Sequence, residues 1–370
     1  MIPFNKPYLT GKETAYIEDA VNRGKISGNG YYTKKCQHFF EEKFNFKKAL
    51  LTTSCTDALE MCAMLANIEQ GDEVIVPSFT FVSSALAFVR QGAIIKFADS
   101  YSNNPNIDPS RIEELITKKT KAIVVVHYAG VACDMDAIMA IANKHGLIVI
   151  EDAAQAICSK YEGKLLGSIG HMSTFSFHET KNIISGEGGL LVINDDRFVD
   201  RAEILWEKGT NRAEFFRGKI DKYGWVDTGS SFLPSDIIAA FLWAQLENID
   251  AIQKKRLEHW HFYYSELAEW AKSVDVQLMP KPIEETNNGH MFYIICNSLN
   301  QRKRIIDYLL KNKILAVFHY ISLHSSKYYI KKHDGRTLIN SDKFTERLLR
   351  LPMFYELNPN DVTQTIKKFK

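Results

Sequence analysis

Four short stretches of the chain carry residue types that could do chemistry. Ser54-Cys55-Thr56 is a hydroxyl-rich turn leading into a helical run that starts near Asp57. A helix N-terminus offers free N–H groups and the positive end of the helix dipole, which suits a phosphate. The same residues would equally serve as a plain Ser/Thr N-cap. Phe79-Thr80-Phe81 places two aromatics just after a strand-like run. Glu151-Asp152-Ala153-Ala154-Gln155 follows the apolar run Leu147 to Ile150 directly. Charged groups at the carboxyl end of a parallel strand stand at the sheet rim, where α/β ligand sites form; a strand-end capping aspartate is the alternative. Finally, Phe175-Ser176-Phe177-His178-Glu179-Thr180-Lys181-Asn182 runs into Ser185-Gly186-Glu187-Gly188-Gly189. A lysine there is either a solvated rim residue or a partly desolvated amine. In the second case its pKa falls and it becomes a nucleophile toward carbonyls.

Other chemistries find no support in the sequence. There is no G-x-x-x-x-G-K-[ST] phosphate loop. Gly28-Asn29-Gly30-Tyr31-Tyr32-Thr33 lacks the last glycine of a dinucleotide fingerprint and does not follow a strand. His178-Glu179-Thr180-Lys181 lacks the second histidine of a zinc-protease motif, and His259 and His261 point to different sides of one helix. No metal site is expected.

The elements that must position these stretches follow from hydrophobic spacing. Glu13 to Arg23 and Lys34 to Phe44 read as helices. Glu73 to Pro77, Ile94 to Phe97, Ala122 to Val126 and Leu147 to Ile150 read as strands. Phe79 to Gln91 and Asp136 to Lys144 read as helices between them. Near-continuous apolar strands alternating with helices imply a mainly parallel sheet covered on both faces. A long amphipathic stretch from Ser235 to about Lys272 bends or breaks near Asp250. Pro280-Lys281-Pro282 and Asn287-Asn288-Gly289 then punctuate the chain. A strand (Met291 to Cys296), a helix (Arg302 to Lys311), a strand (Leu315 to His319) and a helical end suggest a smaller α+β domain.

Composition narrows the functional class. The chain has 370 residues, long for a single core, and ordinary globular composition. Lys+Arg is 46 against Asp+Glu 44, so the basic excess of a nucleic-acid binder is missing. The six cysteines form no C-x-x-C pair and read as free thiols in a reducing compartment. No apolar run approaches the ~20 residues of a membrane helix, and the start has no signal-peptide core. A soluble, cytoplasmic protein is expected.

Taken in order, the four stretches resemble the DegT/StrS family of sugar aminotransferases, which use pyridoxal phosphate on the fold type I, aspartate-aminotransferase-like scaffold. The resemblance spans nearly the whole chain. It implies a large domain over residues 1–245, and a bridging helix with a small C-terminal domain over 246–370. It implies that Lys181 holds the cofactor covalently and, once freed, carries a proton. It matches Asp152 to the carboxylate on the pyridine nitrogen, Gln155 to the contact with the ring hydroxyl, and Phe81 to the stacking aromatic. Cys55, Thr56 and Ser176 fall where the family contacts the phosphate. Many relatives add an asparagine from the neighbouring subunit; here the aligned residue is Leu233, with Ser231 as a substitute. Residues 127–133, 208–212, 215–218, 243–247 and 318–320 resemble the branch that aminates position 4 of a dTDP-4-keto-6-deoxyhexose for surface polysaccharide or antigen synthesis. Glutamate is the implied amino donor, and the cofactor would pass through its pyridoxamine form. Arg212, Arg217, Tyr223, His319 and Tyr320 are the implied sugar-nucleotide contacts. A homodimer with shared sites is implied. Amination at position 3 is the alternative within the family. A non-catalytic cofactor-binding regulator is a third reading, though no DNA-binding segment accompanies it. A dehydratase branch carries histidine at the lysine position, so Lys181 argues against it.

Overall fold

A computed structural model describes residues 1–281 and 287–370. Its centre is a seven-stranded sheet in the order β1-β9-β8-β5-β4-β2-β3. The strands are β1 Lys48–Thr52, β2 Glu73–Pro77, β3 Ile94–Ala98, β4 Thr120–Val126, β5 Ile148–Asp152, β8 Met172–Ser176 and β9 Gly189–Ile193. A two-residue hairpin, β6 Lys160–Tyr161 with β7 Lys164–Leu165, interrupts the run. All central pairings are parallel; only β9 runs against both of its neighbours, β1 and β8. The mainly parallel sheet expected from the apolar strands is present.

The sheet is buried on both faces, and the strand period of two assigns the faces. Along β1, Leu50 packs into the cluster formed with helices Cys55–Leu65 and Ser83–Arg90. Its neighbours Ala49 and Leu51 enter the opposite cluster with helices Tyr31–Lys43 and Asp236–Glu247. Helix Met135–His145 covers Ile75, Ile123, Val125 and Val149 at the far end. Beyond the sheet, the amphipathic stretch divides into Asp236–Glu247 and Ile249–Ser273, with Asn248 between them. A second sheet, antiparallel in the order β10-β11-β12 (Gln277–Leu278, Phe292–Ile295, Leu348–Leu351), packs against the longer helix through Trp260, Tyr263 and Leu267. Among the described residues no helix is long and apolar enough to cross a membrane.

Some expectations shift. The helix expected from Phe79 begins at Ser83, because Phe79 is anchored in the core beside Tyr128 and Phe344 and holds residues 79–82 out of the helix. Leu315 to His319 is not a strand: it makes a single bridge, Val317 with Arg350, next to the bridge of Ile314 with Ile2, and continues no ladder. The strand that completes the second sheet is instead β12, inside the region read as helical. Pro282 lies outside the described residues.

Candidate active site

The carboxyl ends of β4, β5 and β8 open onto a cavity of about 750 Å³. That volume lies within the ~300–1,000 Å³ typical of ligand pockets. Cys55, Thr56, Phe81, Asp152, Gln155, Ser176, Lys181, His319 and Tyr320 all line it. The chain brings them together from positions more than 260 residues apart in sequence (55 to 320).

One end of the cavity is a helix start. Ser54 caps helix Cys55–Leu65 by accepting from the Asp57 amide at 3.1 Å. The first-turn amides of Cys55 and Thr56 have no intrahelical acceptor. Gly189 makes the turn possible: a Cβ there would lie 2.4 Å from the Ser54 carbonyl carbon and oxygen and 2.5 Å from the Cys55 nitrogen. The N-cap and anion-site readings of Ser54-Cys55-Thr56 therefore coexist. The cap is made, and the amides beside it remain for an anion.

The pleat decides between the two adjacent carboxylates. Glu151 points away from the cavity and is fully buried. It accepts from the amides of Gly167, Ile169 and Gly170 and from His127 Nε2 at 2.9 Å. Cys133 N–H donates to His127 Nδ1, which leaves the imidazole proton on Nε2, toward Glu151. Asp152 faces the cavity, with 5% exposure. Ser84 Oγ donates to its Oδ2 at 2.6 Å and the Ala154 amide to its Oδ1 at 3.2 Å. Burial nonetheless pushes this carboxyl above its ordinary range, against both hydrogen bonds and the charge of Lys181. A carboxylate so placed is suited to a cationic partner inside the cavity.

Lys181 follows β8, its amide bonded to the His178 carbonyl at 2.9 Å. Burial lowers the pKa of its amine, and the Arg350 cation pushes the same way, while Cys55 and Asp152 oppose. The amine is therefore closer to its neutral, nucleophilic form than a solvated lysine would be. Ala129 N–H donates to Gln155 Oε1 at 2.7 Å, which turns the Gln155 amide donors toward Tyr320 Oη, 3.3 Å away. Phe81 stands 54% exposed at the cavity wall, its ring 5.9 Å from that of Tyr320. His319 stacks on Tyr320 and accepts from Arg350 Nη1 at 2.8 Å through Nδ1. Desolvation, then Arg350 and Lys181, hold His319 down at about 4.

Four expected residues lie elsewhere within one chain. Arg217 pairs with Glu203 at 2.7 Å, and Arg212 sits 3.8 Å from Glu207 over the Phe216 ring. Tyr223 packs on Phe215, and Ser231 is exposed, bridging by its backbone to Glu207. Leu233 lies against Gly28 and the apolar cluster below it. None of these lines the cavity. Conversely, Ser84, His290 and Arg350 belong to the site or its support and went unread. Arg350 had a signal in the sequence: a lone charge in the apolar run Leu348-Leu349-Arg350-Leu351.

The donor set fits pyridoxal phosphate. Free helix amides would suit a phosphate, Asp152 a protonated ring nitrogen, the Gln155 amide a ring oxygen, Phe81 a ring face and Lys181 an aldehyde carbon, and all of these residues line the one cavity. Comparison with known proteins agrees. The family model described as the DegT/DnrJ/EryC1/StrS aminotransferase family matches residues 7–370. The chain is 31% identical to the spore coat polysaccharide biosynthesis protein SpsC of Bacillus subtilis, over 99% of this chain and 95% of that one. It is 31% identical to the GDP-perosamine synthase of Vibrio cholerae, over 98% and 97%. Its fold superposes on Spr1654 of Streptococcus pneumoniae, solved in its PMP form, with a TM-score of 0.90 at 26% identity, covering 99% and 98% of the two chains.

Proposed function

The chain belongs to the DegT/DnrJ/EryC1/StrS aminotransferase family, and from that premise we propose that it transfers the amine of glutamate to position 4 of a dTDP-4-keto-6-deoxyhexose. It is a pyridoxal-phosphate-dependent nucleotide-sugar aminotransferase of fold type I. In the balanced reaction the ketone becomes a primary amine and glutamate leaves as 2-oxoglutarate, so no outside oxidant or reductant is needed. The observation that carries the reading is the convergence of Lys181, Asp152 and the His319-Tyr320 pair on one cavity. Residues 318–320 are among the segments that resemble the position-4 branch.

Pyridoxal phosphate, when bound, supplies an electron sink that takes the amine from the donor and delivers it to the ketone. Lys181 would hold the cofactor, and its freed, neutral amine would move the proton at the reacting carbon. Asp152 would keep a proton on the ring nitrogen. Gln155 would donate to the ring oxygen. The amides of Cys55 and Thr56, with Ser176, would hold the phosphate. Gly189→Ala should push the Ser54–Cys55 turn aside and cost about 1–3 kcal/mol of stability through overpacking. It should also release cofactor on dialysis that leaves the wild type loaded; unchanged melting and retention would sink this account of the turn.

The segment holding Arg212, Arg217, Tyr223 and Ser231 also exposes Phe216 and Trp225, the latter 83% exposed. We read it as an arm that serves a neighbouring protomer's cavity in a homodimer. We also read the chain as cytoplasmic, in keeping with six free cysteines, and as serving surface polysaccharide or antigen synthesis.

The test is direct. Purified holoenzyme receives glutamate with a dTDP-4-keto-6-deoxyhexose or, because the Vibrio cholerae relative is a GDP-perosamine synthase, with the GDP counterpart. Nuclear magnetic resonance of the product locates the amine. Amination at carbon 4 of the dTDP sugar is expected. Turnover of the GDP sugar alone, or amination at carbon 3, would refute the proposal.

A further inference from the structure

His290 is a buried imidazole at the cavity wall, held there by its backbone and by one edge of its ring. It is 4% exposed and lines the cavity just before β11. Its amide donates to Asn288 Oδ1 at 3.0 Å. Arg256, buried on helix Ile249–Ser273, donates from Nε to the Gly289 carbonyl at 3.1 Å and from Nη2 to the His290 carbonyl at 2.7 Å. Gly289 admits that approach: a Cβ there would lie 2.8 Å from the Arg256 carbonyl carbon and oxygen. The ring is held through Nδ1, 2.8 Å from Asn182 Oδ1. The Asn182 amide nitrogen donates to Gln253 Oε1 at 2.8 Å and to the Asn288 carbonyl at 2.9 Å, so its oxygen faces the imidazole. An amide oxygen only accepts, so Nδ1 carries the imidazole proton and Nε2 a lone pair. Among the described residues Nε2 makes no hydrogen bond, and it is the polar atom of the ring left for the cavity.

We infer that His290 is a positioning residue for Lys181, its Nε2 accepting a hydrogen bond from the free amine. This rests on reading Lys181 as the group that moves the proton. Asn182, which anchors the ring, is the residue after Lys181, so lysine and imidazole share one frame. Of the charges that act on His290, that of Lys181 comes first, ahead of Arg350 and Arg256. Other acceptors around the amine are engaged: Gln155 Oε1 takes the Ala129 amide, and His319 Nδ1 takes Arg350. Asp152 is the group suited to the ring nitrogen. An ammonium formed at Lys181 inside this cavity needs an acceptor for its N–H groups. His290 offers one without competing for the proton. Burial first, then the cations Lys181, Arg350 and Arg256, hold its imidazole well below the ordinary range. The proton therefore stays on the lysine until it returns to the reacting carbon.

Two substitutions separate the anchor from the acceptor. Asparagine puts an amide nitrogen where Nδ1 stood and keeps the bond to Asn182, with no acceptor at the Nε2 position. Glutamine brings an oxygen to the Nε2 position and gives up the Asn182 bond. Lys181 is read in the cofactor-free full chain by its acetylation with acetic anhydride across pH, followed by mass spectrometry of its peptide. The charges that bear on the amine from Asp152 on β5, Cys55 on helix Cys55–Leu65 and Arg350 on β12 stay in place in both variants. His290→Asn should move the Lys181 profile to lower pH by about one unit or more, because losing a hydrogen bond disfavours the ammonium. His290→Gln should leave it near wild type. Each half-reaction is then followed alone: pyridoxal form with glutamate, and pyridoxamine form with keto sugar. His290→Asn should lower kcat in both by roughly 10-fold or more with KM little changed, and His290→Gln should keep most of the rate. The reverse ranking would make His290 a brace, and loss confined to the sugar half would make it a sugar contact; either overturns the inference. If His290→Asn does not fold, nitrogen-15 magnetic resonance of the cofactor-free chain decides. In Lys181→Ala the His290 Nε2 resonance should move downfield of its wild-type position while Nδ1 keeps its proton, and an unmoved Nε2 overturns the inference. Acetylation needs no turnover. If His290→Asn shifts the Lys181 profile yet the wild type aminates no keto sugar, the proposed function falls and the role of His290 stands.

Discussion

Replacing Lys181 by alanine is expected to abolish transamination, lowering kcat by at least ~10³-fold, toward the upper range for a positioned proton carrier. The structure explains why nothing else can stand in. Lys181 is the one lysine lining the cavity among the described residues. Three imidazoles also line it: His178 is tied to Thr180 through Nδ1 and lies 3.7 Å from Glu187 through Nε2, while His290 and His319 are held below the ordinary imidazole range by burial and by the nearby cations. Arg350 does not give up its proton. Borohydride treatment should fix cofactor to Lys181 in the wild type, read by mass spectrometry of the peptide, and should fix none in Lys181→Ala. Small primary amines added to the variant should restore part of the glutamate half-reaction, because they replace the missing base. A variant that kept wild-type turnover would remove Lys181 from the chemistry.

The same residue gives a signed pH prediction. Burial and Arg350 lower the amine's pKa, so the neutral form is reached at a lower pH than for a free lysine at ~10.4. The rise of rate with pH should therefore begin below that value. Arg350→Gln removes one of the two downward influences and should move the rise to higher pH. A limb unmoved by that substitution would show that the titrating group is not Lys181.

These residues also mark how far the sequence could be read. The parallel sheet was legible because strands such as Val74-Ile75-Val76 are apolar on both faces, and burial on both faces erases alternation. Strand β9 was hidden because Gly188-Gly189 reads as loop; Gly189 is there to admit the Ser54–Cys55 backbone. Glu151 and Asp152 are adjacent and alike in charge, and only the pleat of β5 turns one to the cavity and the other to His127. The amine of Lys181 was ambiguous locally because the groups that desolvate and charge its surroundings include Arg350, far along the chain. Local windows carry propensity and patterning, while a pKa is set by neighbours that only the tertiary fold supplies. For the same reason Arg212, Arg217 and Tyr223 could be named from resemblance yet lie off the cavity of their own chain.

Asp152→Asn is expected to have the second largest effect, a fall in kcat on the order of 10²–10³ in both half-reactions, as for loss of a preorganised electrostatic contact. The argument starts from cost. Burial disfavours this carboxylate in spite of its two hydrogen bonds and the nearby charge of Lys181, and its pKa rises for that reason. A protonated ring nitrogen reverses the balance, because an opposite charge at contact distance favours the ionised acid. The pair then holds the proton where electron withdrawal is needed. Asparagine keeps the shape and the Ser84 contact but carries no charge, so the ring nitrogen is free to lose its proton. A cofactor analogue methylated on that nitrogen carries a fixed positive charge and should recover much of the lost rate in Asp152→Asn. Ser84→Ala, which leaves the carboxylate in place, should cost far less, since one hydrogen bond is worth roughly 0.5–1.5 kcal/mol or a little more to a charged group. If Ser84→Ala proved as damaging as Asp152→Asn, or if the methylated analogue gave no recovery, Asp152 would be a structural brace and not the group that holds the ring proton.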